Sequence, residues 1–369
     1  MKKQVPETPT ETTTKGRGRP PKKKGEAKPL PAPAGELVLR EDNQAQLVLP
    51  MPVKQGISSL NLATEILHDV RLQEFEDAQM RTPAPSRKVI LDAENIELST
   101  KEGFTEFDRA VLEAIFAQLA AGNQIMTPAM IFRSMTNKGA GTRVSNEMLA
   151  AINHSVEKCM YGKVVIPRYN KKKKKVMQLD SNILTFVRAE YSVSGNLAQA
   201  YQIQTMPLLF EYCLASGSLI YSPIEMNAIE GMSMTKRSVA TMNYLQRIVV
   251  PRVYNADGES MIAPGGMEAK EGEPVHGAEW LAPETVLYED LYDAVANVDN
   301  SSKTRWLLDK TRENVRSVLN YWVNTRHIKR WENVTEGRSI IGVRIYFYPI
   351  QKKYLAALER LDKPITGAP

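Results

Sequence analysis

From Thr105 onward the apolar positions recur with a helical period and then give way to runs that suit strands. In "TEFDRAVLEAIFAQLAAGN" they fall at 107, 111, 112, 115, 116 and 119, a helical stripe with Thr105 as N-cap and Gly122–Asn123 as its stop. "TPAMIFRSMT" opens with Thr127 as N-cap and Pro128 at the first helical position, where a missing N–H costs nothing. After the Gly-rich "NKGAGTR", the stretch "SNEMLAAINHSVEKCMYG" starts at Ser145 and places Met148, Leu149, Ile152, Val156 and Cys159 on one face. Two strand-like runs follow, "KVVIPRY" and "VMQLDSNILTFV", joined by "NKKKKK".

Three helices and a hairpin with a basic tip is the order of a winged helix-turn-helix, and the order recurs. "PETVLYEDLYDAVANV" predicts an amphipathic helix and "SSKTRWLLDK" a second; "TRENVRSVLNYWVNTR" predicts a third, with Thr311 as N-cap. "HIKRWENV" and "IIGVRIYFYP" then read as strands around the turn "TEGRS". The copies share pattern and not sequence, so the repetition is architectural. The expected fold is α+β: two winged helix-turn-helix domains in tandem, at 88–253 and 284–360, preceded by a disordered basic tail at 1–56. "TMPLLFEYCLASGSLIYSP" and "TKRSVATMNYLQRIVVPRV" lean helical and bridge the units or pack on the first. "VRLQEFEDAQMR" suggests a short helix, and "RKVILDAENIELS" a strand leading into the first fold. Acidic residues with Gly and Pro predict a linker at 254–283 that an ordered core does not need.

Charge sharpens this picture. The net formal charge is +6. Residues 1–34 hold nine Lys/Arg and three Glu, so the tail carries all of it and the remaining chain is neutral with 39 of each sign. Within the neutral body the signs are segregated. Lys163–Lys175 holds seven cations and no acid, Asp257–Asp293 ten acids and one lysine, and Lys303–Arg330 eight cations and two acids. Separate basic faces with an acidic spacer imply a polyanionic partner. Two cysteines in apolar helical patterns fit buried thiols in a reducing compartment, and no apolar stretch approaches bilayer length. A cytoplasmic, nucleoid-associated protein without a membrane partner is expected, or a nuclear one in a eukaryotic host.

The third helix of the second unit holds the strongest candidates. Val315, Val318, Leu319 and Trp322 form its apolar stripe, and spacing turns Arg312, Asn314, Arg316 and Asn320 outward with Ser317 beside them. Arg pairs bidentately with guanine and Asn with adenine, so such a face has the chemistry to read a major groove. A solvated face in a protein-interaction domain is the competing reading. Lys303, Arg305, Arg326, Lys329 and Arg330 surround this helix, and Arg338 in the wing can reach a phosphate or a narrow minor groove. In the first unit, Glu147 and Glu157 dilute the equivalent helix and His154 reads as a surface histidine. Its hairpin tip, with Lys171, Lys172, Lys173, Lys174 and Lys175, suits phosphates or simply keeps the hairpin soluble.

Signatures of catalysis are missing. There is no G-x-x-x-x-G-K-[ST], no C-x-x-C and only scattered histidines, so no enzyme, cofactor or metal is expected. "HIKR" has the H-x-x-R spacing of tyrosine recombinases, with Tyr346, Tyr348 and Tyr354 downstream, but it begins a wing strand and no second arginine box precedes it.

Two resemblances follow. The paired winged helices, the basic third helix and the absence of catalytic motifs resemble the theta-type plasmid replication initiators of the Rep family, with relatives in phages and integrative elements. The likeness spans about residues 90–350 and is carried by "FDRAVLEAIFAQLAAGNQIMTPAMIFRSM" and "TRENVRSVLNYWVNTRHIKRWENV". It implies binding of duplex origin repeats, origin opening without hydrolysis, a possible homodimer, and recruitment of a host initiator or replicative helicase. A transcriptional regulator or partition-type DNA-binding protein shares every one of the sequence features named above; a recombinase or relaxase is the remaining alternative. In the tail, "KGRGRPPKKK" at 15–24 resembles an AT-hook. Gly18 permits close approach, Pro20 stiffens the exit, and Arg17 and Arg19 enter a narrow A·T-rich minor groove. A nuclear localisation signal is the other reading of "PPKKK".

Overall fold

The computed structural model describes residues 36–39, 45–48, 85–91, 97–101, 103–139, 142–170, 175–193, 196–227, 229, 231–296, 305–356 and 358. For 36–39, 45–48, 97, 167–170, 175–179, 189–198 and 296 it describes the backbone alone. The fold is α+β. Within 1–56, where composition predicts no order, β1 (Glu36–Leu39) and β2 (Ala45–Val48) pair antiparallel. Their "ELVL" and "AQLV" are the apolar islands of that segment. Arg17 and Arg19 and the expected 70–81 helix lie outside the described residues.

The first half is built around α1 (Glu106–Ala120), whose start is fixed by a capping box between Thr105 and Asp108. Asp108 also accepts from Ser155 at 2.6 Å and Lys158 at 2.7 Å, which pins α3 (Asn146–Tyr161) across α1. Between them run β5 (Ile125–Met126) and α2 (Pro128–Thr136), with Pro128 at the first helical position as its sequence predicts. The first hairpin lies where the pattern places it, but its second run is misjudged in length. "VMQLDSNILTFV" is two strands, because Ile183 and Leu184 turn inward and hydrogen-bond to Gly162 and Cys159 at the end of α3. Gly162 gives them room there: a Cβ would meet Ile183 Cδ1 and Thr100 Cγ2, each at 2.8 Å, and push both side chains aside. One hairpin therefore joins β6 (Lys163–Asn170) to β7 (Lys175–Asn182), and a second joins β8 (Phe186–Val193) to β9 (Asn196–Ile203). It is β9 that pairs with β5, while β6 pairs with β4 (Glu97–Ser99).

The connecting segments form the centre of the molecule. α4 (Leu208–Ser216) leads into β10 (Leu219–Pro223), which pairs with β3 (Arg87–Leu91), so β3 closes on a strand far along the chain. α5 (Lys236–Val253) packs against α1 on one side and the second half on the other. A polar network lies inside that junction. Lys88, fully buried, donates to Asn243 at 2.6 Å and Gln246 at 2.7 Å and lies 3.8 Å from Glu113; Glu106 accepts from Asn243 and Arg247, each at 2.9 Å.

In the second half, "PETVL" is a strand and not the start of a helix: β12 (Glu284–Leu287) pairs with β14 (Ser339–Tyr346), followed by the short α6 (Tyr288–Ala296). Gly342 makes this pairing possible, since a Cβ would lie 2.4 Å from the Val286 carbonyl oxygen. The two helices expected at 301–326 are one, α7 (Arg305–Asn324). Thr311 does not cap it; the Thr311 hydroxyl bonds back to the Leu307 carbonyl at 2.9 Å, which satisfies a threonine inside a helix. β13 (Arg330–Glu336) completes a sheet in the order β12-β14-β13. Trp322 is fully buried, and its Nε1 donates to the Met226 carbonyl at 3.1 Å. One hydrophobic core consequently runs from Val89 to Phe347 through both halves.

Residues 254–283 are packed, not a free linker. β11 (Ala278–Glu279) pairs with β15 (Ile350–Gln351), and Met261 forms a small core with Ile350 and Leu358. The reason is charge as well as apolar contact, because this acidic segment lies against Lys329 and Arg330 at the start of β13.

Candidate nucleic-acid interface

α7 is held by its buried face, Thr311, Asn314, Val315, Val318, Leu319 and Trp322, which leaves a polar strip facing outward. Arg305, Arg316, Ser317 and Asn320 are exposed on it. Arg312 is half-buried and braces the helix. Its guanidinium lies 5.2 Å from the centroid of the Tyr288 ring, and Nη1 is 3.8 Å from Asp309. Asn314 is not outward: it is 7% exposed. A helix that packs against a strand, α6 and α5 buries a broader stripe than period alone marks, and Asn314 adjoins Val315 at its edge. Asn320 Oδ1 accepts from Trp331 Nε1 at 3.0 Å, so this side chain is already oriented by β13.

Strand parity separates the cations that follow. Trp331 points to α7, whereas Arg330, Glu332, Arg344 and Tyr346 meet on the opposite face of the sheet. There Arg330 makes a bidentate pair with Glu271 at 2.8 and 3.0 Å and lies over the Tyr346 ring. These hydrogen bonds raise the Arg330 pKa and hold Glu271 below the usual carboxylate range. Lys329 donates to the Ala269 carbonyl and sits 4.6 Å from the Trp280 ring centroid. Lys329 and Arg330 are thus turned to the 254–283 segment, away from α7. Arg326 is exposed in a left-handed conformation (φ 61°) where the helix ends. Arg338 is exposed beside Gly337 (φ 60°) in the β13–β14 turn. Lys171, Lys172, Lys173, Lys174 and Lys303 lie outside the described residues. Lys175 opens β7, opposite Asn170.

What the structure brings together is therefore Arg305, Arg316, Ser317 and Asn320 on one helix face. Pattern reading missed a cleft of about 660 Å³ beside it, between the N-terminal ends of α3 and α5 and the first half of α7. Trp306, 70% exposed there, was the available signal: it falls out of phase with the apolar stripe. Among the described residues no group of three or more His, Cys, Asp or Glu could hold a metal, and no helix is long and apolar enough to cross a membrane.

No family model matches this chain, and no curated protein matches it. Among solved structures it is similar to a selenomethionine derivative of domains 2 and 3 of RctB, at 12% identity and a TM-score of 0.37. That match covers 72% of this chain and 94% of the other. A further structure of RctB domains 2–3 gives 12% identity and a TM-score of 0.37 over 75% of this chain and 96% of its own.

Proposed function

We propose that this protein is a non-enzymatic, sequence-specific DNA-binding protein that initiates replication, binding duplex origin repeats, promoting their opening and recruiting a host helicase. The observation that carries the DNA reading is the exposed Arg316–Ser317–Asn320 face of α7, with Arg338 in the adjoining hairpin turn. Arg316 can pair bidentately with a guanine edge and Asn320 with an adenine edge, while Arg338 meets the backbone. The strand–helix–helix–hairpin order of 284–346, with its sheet order β12-β14-β13, supports a winged helix, and α5 supplies the preceding helix. The replication role rests on the resemblance in element order to the Rep family and on the tail's +6 charge and R-G-R-P core, suited to A·T-rich segments.

Selection of duplexes from a randomised pool by the full chain tests the first part. Enrichment of one sequence, lost in Arg316→Ala, is expected; no enrichment overturns the DNA reading. A plasmid whose only origin is the selected repeat beside an A·T-rich segment tests the second. Replication dependent on the protein is expected, and binding without replication would make the protein a transcriptional regulator.

A further inference from the structure

We propose that the cleft between α3, α5 and α7 is a nucleotide site, taking one base with its phosphate. Its volume of about 660 Å³ lies in the range of small-ligand sites, roughly 300–1,000 Å³. A duplex, whose major groove alone is about 12 Å wide, cannot enter it. Ser317 belongs both to this lining and to the duplex-reading face, whereas Arg316 and Asn320 belong to that face alone, so different substitutions test the two.

Three features of the lining point to this ligand. The N-terminal ends of α3 and α5, capped by Ser145 and Thr235, both open onto the cleft, and helix N-termini favour an anion. Asn314 lines the wall at 7% exposure, and among the described residues its amide has no hydrogen-bond partner. Its adjacent donor and acceptor match the edge of a base. Trp306 stands at the rim, 70% exposed, an aromatic surface on which a base can stack. Charge limits the ligand further. Lys236, Arg237 and Lys310 line the cleft together with Glu147 and Glu313; Lys310 pairs with Glu313 at 2.7 Å, and Lys236 and Arg237 have partners of their own. Three cations against two carboxylates suit a single phosphate, not a triphosphate. The base comes either from a free nucleotide or from an unpaired nucleotide of a strand.

Calorimetric titration of the full chain separates these sources. The probes are adenosine and thymidine monophosphates, a mixed-sequence single-stranded 12-mer, and inorganic phosphate. Saturable binding of a monophosphate identifies the free nucleotide; binding of the 12-mer alone identifies the strand. In either case Trp306→Ala is expected to weaken binding about tenfold or more, since stacking is lost, and Trp306→Phe to retain it within about threefold. Trp306 is exposed, so its removal should leave the melting temperature unchanged. Asn314→Asp should alter the preference between the two bases. Binding of neither probe, binding unaffected by Trp306→Ala, or inorganic phosphate binding as tightly as the monophosphate would each overturn the proposal. Selection of a duplex sequence, measured on the same variants, should not change, which keeps failure here distinct from failure of the DNA reading.

Discussion

α3 and α7 occupy the same place in the order of elements, after two helices and before a hairpin, yet the polar groups on their outer faces are partnered differently. On α3, Asn153 accepts from the Tyr201 hydroxyl at 2.9 Å, and Glu157 pairs with Arg188, so side chains in reach of a ligand are bonded to the β8–β9 hairpin. On α7, Arg316 and Ser317 are exposed and the hairpin orients a neighbour, Asn320, without covering them. A helix whose polar face is tied to its own sheet is a structural helix; one whose face is ordered but open can meet another molecule. Position in the fold does not decide which, whereas the partners of each polar group do.

The comparison breaks most visibly if α7 is loosened. Trp322 fills the core and bonds the Met226 carbonyl, and Tyr321 donates to Glu225 in the same short turn, so α7 is anchored to the segment that also meets α2 and α5. Trp322→Ala should cost about 3–5 kcal/mol in chemical denaturation. All DNA affinity should fall together, with no change in preference.

A smaller effect concerns the junction the two halves share. Burial lowers the Lys88 pKa to about 8 from 10.5, opposed by the nearby Glu113 and Glu106 carboxylates. A folded value below the unfolded one means that the unfolded chain binds more protons between the two. Stability from this group is therefore present above pH 10.5 and is lost as pH falls through 8. Denaturation from pH 8 to 10 should show a rise on the order of 2 kcal/mol in the native chain relative to Lys88→Met/Glu113→Gln. Equal slopes in the two proteins would remove Lys88 from this role. Lys88→Met alone should be the less stable variant, because it leaves Glu113 buried without its partner.

Much of this architecture was legible, and the gaps have physical causes. Thr105, Thr127 and Ser145 marked helix starts because capping places a hydroxyl where N–H groups need acceptors, and all three act so. Thr311 misled for the same reason, since its hydroxyl can also bond back within a helix. β12 was hidden because "PETVL" runs into the apolar phase of α6 with no turn between them. The 254–283 segment has the composition of a linker, and only Met261 and Trp280 hinted at its packing. The exposure of Arg316, Ser317 and Asn320 on α7 followed from period and the burial of Asn314 did not; the turning of Lys329 and Arg330 away from that face follows from strand parity, which a charge count along the chain ignores.

Arg316 sharpens the contrast between the two helices. Arg316→Ala should cost about 1–3 kcal/mol on the selected duplex and little on a scrambled one, measured by titration at two salt concentrations. Asn153→Ala on α3 should leave both affinities unchanged. Equal losses on both duplexes for Arg316→Ala would reduce it to a phosphate contact, and a selective loss at Asn153 would move sequence reading to α3.

The smallest expected effect belongs to Arg330, which tests whether a basic residue near a reading helix must take part in binding. Its bidentate pair with Glu271 is on the surface, and exposed ion pairs contribute only about 0–1 kcal/mol. Because Arg330 lies on the sheet face opposite α7, Arg330→Ala should leave duplex affinity and the slope of binding against salt within error. By contrast, neutralising a true phosphate contact lowers that slope by about 0.9 for duplex DNA. Glu271→Gln is the sharper variant: if the acidic segment merely holds Arg330 back from DNA, freeing it should increase affinity and steepen the slope. No change in either variant is expected, with a loss of stability of less than about 1 kcal/mol in each. A steeper slope in Glu271→Gln would place the far face of the sheet against the nucleic acid and make the contrast between α3 and α7 incomplete.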